Sequence, residues 1–227
     1  SFGVSGDTET TGELGYSHEG GGTDFLGYDD GTRNIPSGLR AAIRQNVPIS
    51  VGPNFSSTDL LNFTASLNNA ETNLIQRNRN IPANFSAGIS GGTSVDTGGA
   101  VFGIIANASF DNSWRTRGGT QQTSQGIVDI DGEDGLLPDQ NFNFLTTENR
   151  VVVSGLLGLS AEFGENKIRF TNVYIHDTLK DTSISAGVDA INVDEETILN
   201  RGRTGFFERQ LFTSQLVGEF KFGNLSL

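Results

Sequence analysis

From Phe2 onward the even positions carry Phe2, Val4, Gly6, Thr8, Thr10, Gly12, Leu14 and Tyr16, whereas the odd ones include Ser5, Asp7, Glu9, Glu13 and Ser17. A period of two predicts one long strand with unlike faces over Phe2 to Tyr16. The segment Thr23 to Ser37 (TDFLGYDDGTRNIPS) interrupts the alternation with Gly, Asp and Pro, which predicts a loop and the start of a long insertion. Between Ser56 and Arg79, Leu60, Leu61, Ala65, Leu67 and Leu74 fall near helical intervals behind Ser57, Thr58 or Asp59 as candidate caps, predicting the only helix. Alternation returns at Asn84, with Phe85, Ala87, Ile89 and Gly91 on one face and Ser86, Gly88, Ser90 and Gly92 on the other. A turn is expected at Asp96 to Gly99.

The clearest alternation follows that turn. Ala100, Phe102, Ile104, Ala106, Ala108, Phe110 and Trp114 share one parity, and Asn107, Ser109, Asp111, Ser113 and Arg115 share the other. Arg115 to Asn143 reads as a polar, Gly-rich loop. Arg150 to Phe163 and Lys167 to Leu179 then form a hairpin, with a two-residue turn expected at Glu165 and Asn166. That turn sets Phe163 opposite Ile168, Ala161 opposite Phe170, Leu159 opposite Asn172 and Leu157 opposite Tyr174. It also brings Glu162 beside Arg169 and Ser160 beside Thr171. A three-residue turn would place Arg169 on the oily side, so a one-residue slip is disfavoured. Asp181 to Arg203 reads as an acidic loop, and Phe206 to Phe222 as a sixth strand that turns at Gly223 and Asn224 into a seventh.

Composition narrows the class. Apolar residues make up only 35%, whereas Gly (30 residues) and Phe (16 residues) are abundant, a balance that suits alternating strands and turns and leans all-β. No run approaches the ~18 apolar residues of a spanning helix, but barrel strands need only ~10 alternating residues each. Turns near Asp96, Glu165 and Gly223 are short, and connections after Tyr16, Arg115 and Leu179 run to roughly twenty residues or more, the asymmetry of a transmembrane barrel. The expected fold is therefore an antiparallel up-and-down transmembrane β-barrel. Residues 1–227 would give about six of its strands, with long extracellular loops and one short helix in the first. Trp114, Tyr174 and Phe206 near loop ends suit an aromatic girdle. A soluble sandwich or barrel with a solvated exterior shares the alternation and stays open. The formal net charge of −12 argues against a nucleic-acid partner. Without Cys there is no disulfide or thiolate chemistry, and without Met the chain is expected to be a processed or partial one.

Thr23 to Pro36 (TDFLGYDDGTRNIP) resembles, nearly residue for residue, the segment after the first barrel strand of TonB-dependent outer-membrane receptors, where D-[FW]-L-G-[FY]-D-D-G-[ST]-R-x-[LIP]-P recurs. NSWRTR (Asn112 to Arg117), NKIRFTNVYIHDTLKDTSISAGVD (from Asn166) and FFERQLFTSQLVGEFKF (from Phe206) look like consecutive strands of that family, in the same order. The resemblance implies the early part of a barrel of about twenty-two strands in a Gram-negative outer membrane. The plug and TonB box would lie before Ser1 and the remaining strands after Leu227. Its partners would be TonB, outer-membrane lipid and a scarce small ligand such as a siderophore, oligosaccharide or vitamin. A passive porin, a surface adhesin and a soluble carbohydrate-binding β-domain are the competing expectations.

Candidate sites are few. Asp111, Arg115 and Glu208 are candidate ligand contacts on the lumen side, and Asp29, Asp30 and Arg33 are expected to cap and pin a structured loop. DIDGEDG offers Asp129, Asp131, Glu133 and Asp134 as oxygen ligands for Ca²⁺, although Gln140 stands where an EF-hand loop has its bidentate Glu. His18 and His176, the only histidines, have no triad or metal partner at a recognisable spacing. No catalytic residue and no other cofactor are expected.

Overall fold

The computed structural model describes the backbone of residues 1–124, 127–130, 133–136, 138–194, 197–222 and 225–226, and their side chains except at 127–130, 133–136, 222, 225 and 226. In chain order the strands are β1 (Phe2–Ser5), β2 (Gly15–Ser17), β3 (Gln76–Asn78), β4 (Asn84–Asp96), β5 (Val101–Thr123), β6 (Ile127–Ile130), β7 (Glu133–Leu136), β8 (Gln140–Phe163), β9 (Asn166–Asp189), β10 (Leu199–Glu219), β11 (Lys221–Phe222) and β12 (Leu225–Ser226). Between β2 and β3 lie a 3-10 turn (Asp24–Leu26) and the helices α1 (Ser37–Arg44), α2 (Ser57–Ser66) and α3 (Ala70–Asn73). Six strands form one antiparallel sheet in the order β1-β4-β5-β8-β9-β10, with β1 and β10 as its edges. The chain is thus mostly antiparallel β.

Several sequence expectations are corrected. The alternation of Phe2 to Tyr16 does not make one strand: β1 stops at Ser5 because Asp7 folds the chain on itself. The Asp7 side chain accepts from the Glu9 amide at 2.8 Å, and its carbonyl accepts from the Thr11 amide at 2.8 Å. Such an aspartate turn satisfies locally the backbone groups that a longer ladder would have used. The first insertion carries three helices instead of one. Ser56, one residue before the expected caps, closes α2 with a reciprocal capping box to Asp59.

The loops expected after Arg115 and Leu179 are largely strand. β5 continues to Thr123, β8 begins at Gln140, β9 runs on to Asp189 and β10 begins at Leu199. Their polar upper halves hold by ladder bonds and by cross-strand hydroxyl contacts, such as Thr146 Oγ1 to Ser183 Oγ at 2.7 Å and Thr120 Oγ1 to Asn143 Oδ1 at 2.8 Å. At 24 residues each, β8 and β9 reach ~80 Å at ~3.3 Å per residue.

The β8–β9 turn uses Gly164 and Glu165, not Glu165 and Asn166. Phe163 pairs with Asn166, Ala161 with Ile168, Leu159 with Phe170, Glu162 with Lys167 and Ser160 with Arg169. Gly164 takes a φ of 59°, which suits the first central position of a type II′ hairpin, where glycine has no Cβ to clash. The expected register is therefore displaced by two residues. A shift of two leaves every side chain on its expected face. The turn at Gly223 and Asn224 lies outside the described residues, although Phe222 and Leu225 on either side of it are paired.

The two faces differ. On the front face the lower part of every strand is apolar: Phe2, Ile89, Phe102, Leu159, Phe212 and Leu216 are 41–75% exposed. At the same level the back face carries small and polar groups on β4 and β5, among them Ser86, Gly88, Ser90, Asn107 and Ser109. Higher up, the front face turns polar and is covered by residues 15–81: Ile81 is fully buried, Gly27 packs on Val151 and Thr178, and Gly202 faces Ile75. Burial concentrates beneath this cover, where Thr147, His176, Thr178 and Thr182 are each at most 2% exposed. Among the described residues no helix is long and apolar enough to cross a membrane.

Candidate functional site

The pinning cluster begins in the 3-10 turn. Gly27 ends it with a φ of 84°, and its amide bonds Asp24 O at 2.9 Å, a left-handed conformation that glycine adopts without strain. This aims Asp24 back at the sheet. Arg33 clasps it with both terminal nitrogens (2.8 and 2.6 Å), donates to Asp29 at 2.9 Å, and lays its guanidinium 3.7 Å over the Phe206 ring. Lys180 of β9 completes the cluster 2.8 Å from Asp24. Burial pushes the Asp24 carboxyl up, but the bonds from Arg33 and Lys180 outweigh it and hold it below its usual value. Asp30 stands apart from the pair: it accepts from the Gly22 amide at 2.8 Å and from Thr32 Oγ1 at 2.6 Å, shaping the turn.

Both histidines sit under the same cover. His18 Nδ1 lies 2.9 Å from Thr182 Oγ1. Burial first, then the positive charges of Lys180 and Arg33, push its imidazole from 6.5 down to about 4. His176 stacks on Tyr28 with ring centroids 3.9 Å apart, and its Nε2 lies 2.6 Å from Gly27 O. A carbonyl only accepts, so Nε2 carries the proton. Glu208 Oε1 is 3.1 Å from the same nitrogen, and His176 Nδ1 is buried without a partner. Tyr28 and Tyr174 join their hydroxyls at 3.0 Å. Sequence spacing could not find this cluster, because its members are brought together from the first insertion and from β9. A usable signal was the run of polar even positions Tyr174, His176, Thr178, Lys180 and Thr182, above Ile168 and Phe170 of the same parity. An oily strand face that turns polar midway marks where its surroundings change.

Of the three candidate ligand contacts, Asp111 and Arg115 share the back face, but Glu208 does not. It pairs with Thr178 across β9–β10 and therefore stands on the front face beside His176. The consecutive Phe206 and Phe207 give each face an aromatic ring, so local alternation could not fix the parity there. What surrounds Asp111 and Arg115 is a charge layer that spacing did not reveal. Arg150 grips Asp177 in bidentate fashion (2.8 and 3.0 Å), and Arg209 reaches the same carboxylate at 2.5 Å. Arg117 pairs with Glu148, Arg203 with Asp181 at 2.8 Å, and Arg201 with Asp189 at 2.6 Å.

Of the candidate calcium ligands, Asp131 lies outside the described residues, as do the side chains of Asp129, Glu133 and Asp134. Their backbone forms the small β6–β7 hairpin, with Asp129 opposite Asp134. Among the described residues no group of three His, Cys, Asp or Glu is placed to hold a metal ion. No protein-family model, curated protein or solved structure matches the chain.

Proposed function

We infer that this chain forms wall and outer loops of a Gram-negative outer-membrane β-barrel transporter of the TonB-dependent receptor type, taking up a scarce small ligand. The observation that carries this reading is the exposed apolar belt of the front face, set against a back face that at the same height is small and polar on β4 and mixed beyond it, where Ile105, Leu211 and Val217 stand among Ser109, Ser160 and Arg169. From Phe163 to Val153 the belt spans ten residue steps, ~33 Å along the strand, or ~25 Å once the strand tilts by ~40°, which matches the apolar band of an outer-membrane barrel. Burying such a belt in lipid removes the penalty of leaving it in water, at about 25 cal/mol per Å² of apolar surface. Among the described residues β1 and β10 have no further partner strand, which supports the same reading, because a barrel continues a sheet until no edge remains. The TonB part rests on the likeness of TDFLGYDDGTRNIP and the later strands to that family. In this reading the protein is not an enzyme, its lumen is the back face, and the cover over His18 and His176 lies outside the wall above the membrane.

The test uses the full-length protein in its own cell: outer-membrane fractionation, heat-modifiable gel mobility, and ligand uptake with and without TonB. Uptake that collapses on TonB deletion supports the reading. TonB-independent uptake replaces it with a porin, and a full-length protein found in the aqueous fraction removes the barrel.

A further inference from the structure

The back face above the belt is layered by charge. Arg115, Arg117, Arg150, Arg201, Arg203 and Arg209 project from β5, β8 and β10, with β9 between β8 and β10. In register they fall between the levels of Asp177 and Ser185 of β9, ~26 Å along the strands and ~14 Å across them. The carboxylates beneath lie against the sheet: Glu148, Asp177, Asp181 and Asp189 are 22, 12, 17 and 1% exposed. The arginines paired with them stand outward: Arg117, Arg150, Arg201, Arg203 and Arg209 are 51, 55, 49, 71 and 60% exposed. Apart from Asp111, exposed at the level of Asp177, a molecule approaching this face meets guanidinium groups first, in a chain whose net charge is −12.

The geometry points to this layer as a binding surface for an anionic ligand bearing two or more carboxylate or phosphate groups. Each buried carboxylate fixes a guanidinium without consuming it. Arg150 spends two of its five N–H donors on Asp177, and Arg209 spends one on the same group. The remaining donors sit on preorganised forks suited to planar oxyanions. Charge balance does not cancel the attraction. A ligand oxygen ~3 Å from a guanidinium and ~6 Å from the carboxylate below it gains about twice what it loses, because Coulomb energy falls as 1/r. One ring adds purchase for the ligand's carbon frame: Phe207, 55% exposed, lies 5.2 Å from Arg209, whereas Phe142 is buried and backs Arg201 at 4.0 Å. A neutral sugar would draw on none of this charge. The ligand class deepens the transporter reading and rests on the back face being open to the outside in that barrel.

Citrate is the probe, with trimethyl citrate as its uncharged counterpart, titrated into detergent-extracted full-length protein by calorimetry. Citrate should bind and trimethyl citrate should not. Arg150→Gln with Arg209→Gln should weaken citrate about tenfold or more, as expected for losing charge-assisted bonds. Arg203→Gln, at the most exposed of these arginines, tests the layer without uncovering Asp177 and should weaken it several-fold. Arg169→Gln, low on the same face, should leave it unchanged. Equal binding of both probes, or citrate affinity indifferent to Arg150, Arg203 and Arg209, overturns the proposal. Gel mobility and TonB-dependent uptake in the same samples report separately on the barrel. A working transporter that ignores citrate removes only the anion site, and citrate binding by a protein that never enters the membrane removes only the transporter.

Discussion

Acidification should undock the cover from the front face through His18, above the range in which Asp24 titrates. The imidazole has a pKa of about 4 when docked against 6.5 when free. A base whose pKa is depressed by docking binds more protons in the undocked state, so docking is fully stable above pH 6.5 and weakens as pH falls toward 4. The gap of roughly 2.5 units corresponds to about 3.4 kcal/mol in full, and to about 2.6 kcal/mol at pH 4.5, roughly seventyfold in the opening equilibrium. Lys180 and Arg33 make protonation costly, whereas Asp24 and Asp181 partly offset them. Asp24 has a linkage of the same sign in a lower window. Its pKa is lowered on docking, so its contribution is present above 3.8 and is lost only as pH falls through the docked value, beneath the His18 window. The assay is amide hydrogen exchange on the full-length protein, corrected for intrinsic pH dependence. The amides of Tyr16, Gly20 and Gly27, bonded to Thr147 Oγ1, Glu71 O and Asp24 O, are the reporters. Wild-type protection should fall between pH 7 and 4.5, and His18→Gln should flatten that fall. If wild type keeps its protection, or His18→Gln loses it equally, the reasoning is refuted.

Arg33→Ala leaves Asp24, 7% exposed, with Lys180 as its remaining cation. It should loosen the cover by about 3 kcal/mol at neutral pH, read from the same amides. Leu159→Lys in the middle of the apolar belt should cost about 2–4 kcal/mol and reduce assembly into the outer membrane, whereas Ser109→Lys on the back face should be tolerated; equal defects would sink the belt. Gly164→Val forces a branched side chain into positive φ and should cost about 1–2 kcal/mol in equilibrium unfolding, with Gly164→Asn milder. Ser56→Ala removes the α2 cap, worth about 1 kcal/mol, and the Asp59 amide should exchange roughly fivefold faster.

How much was legible in the sequence depends on whether the two strand faces meet different surroundings. Phe102 through Phe110 and Phe163 back to Leu157 alternate because one side needs an oily neighbour and the other does not, so strand and parity could be read directly. Thr116 to Thr123, Gln140 to Asn143 and Asp181 to Asp189 carry too few apolar residues at alternate positions to mark one face and therefore read as loops. Their ladders are nonetheless complete, because backbone pairing requires extended chain and a partner strand, not apolar side chains. The β8–β9 register was legible modulo two: face matching forbids a slip of one residue but cannot see a slip of two, and the backbone freedom of Gly164 decided between the remaining choices.

By itself the sequence determined the strand-rich class, the parity of the apolar belt on β4, β5, β8 and β9, and the acidic balance. All of these follow from local residue order. Tertiary structure alone decided which distant groups meet. Asp24 and Arg33 close on Lys180, Tyr28 stacks on His176, and Arg150 and Arg209 converge on Asp177 from neighbouring strands. Such contacts depend on the sheet register and on where a long insertion lands, and neither quantity is written in the spacing of residues along one segment.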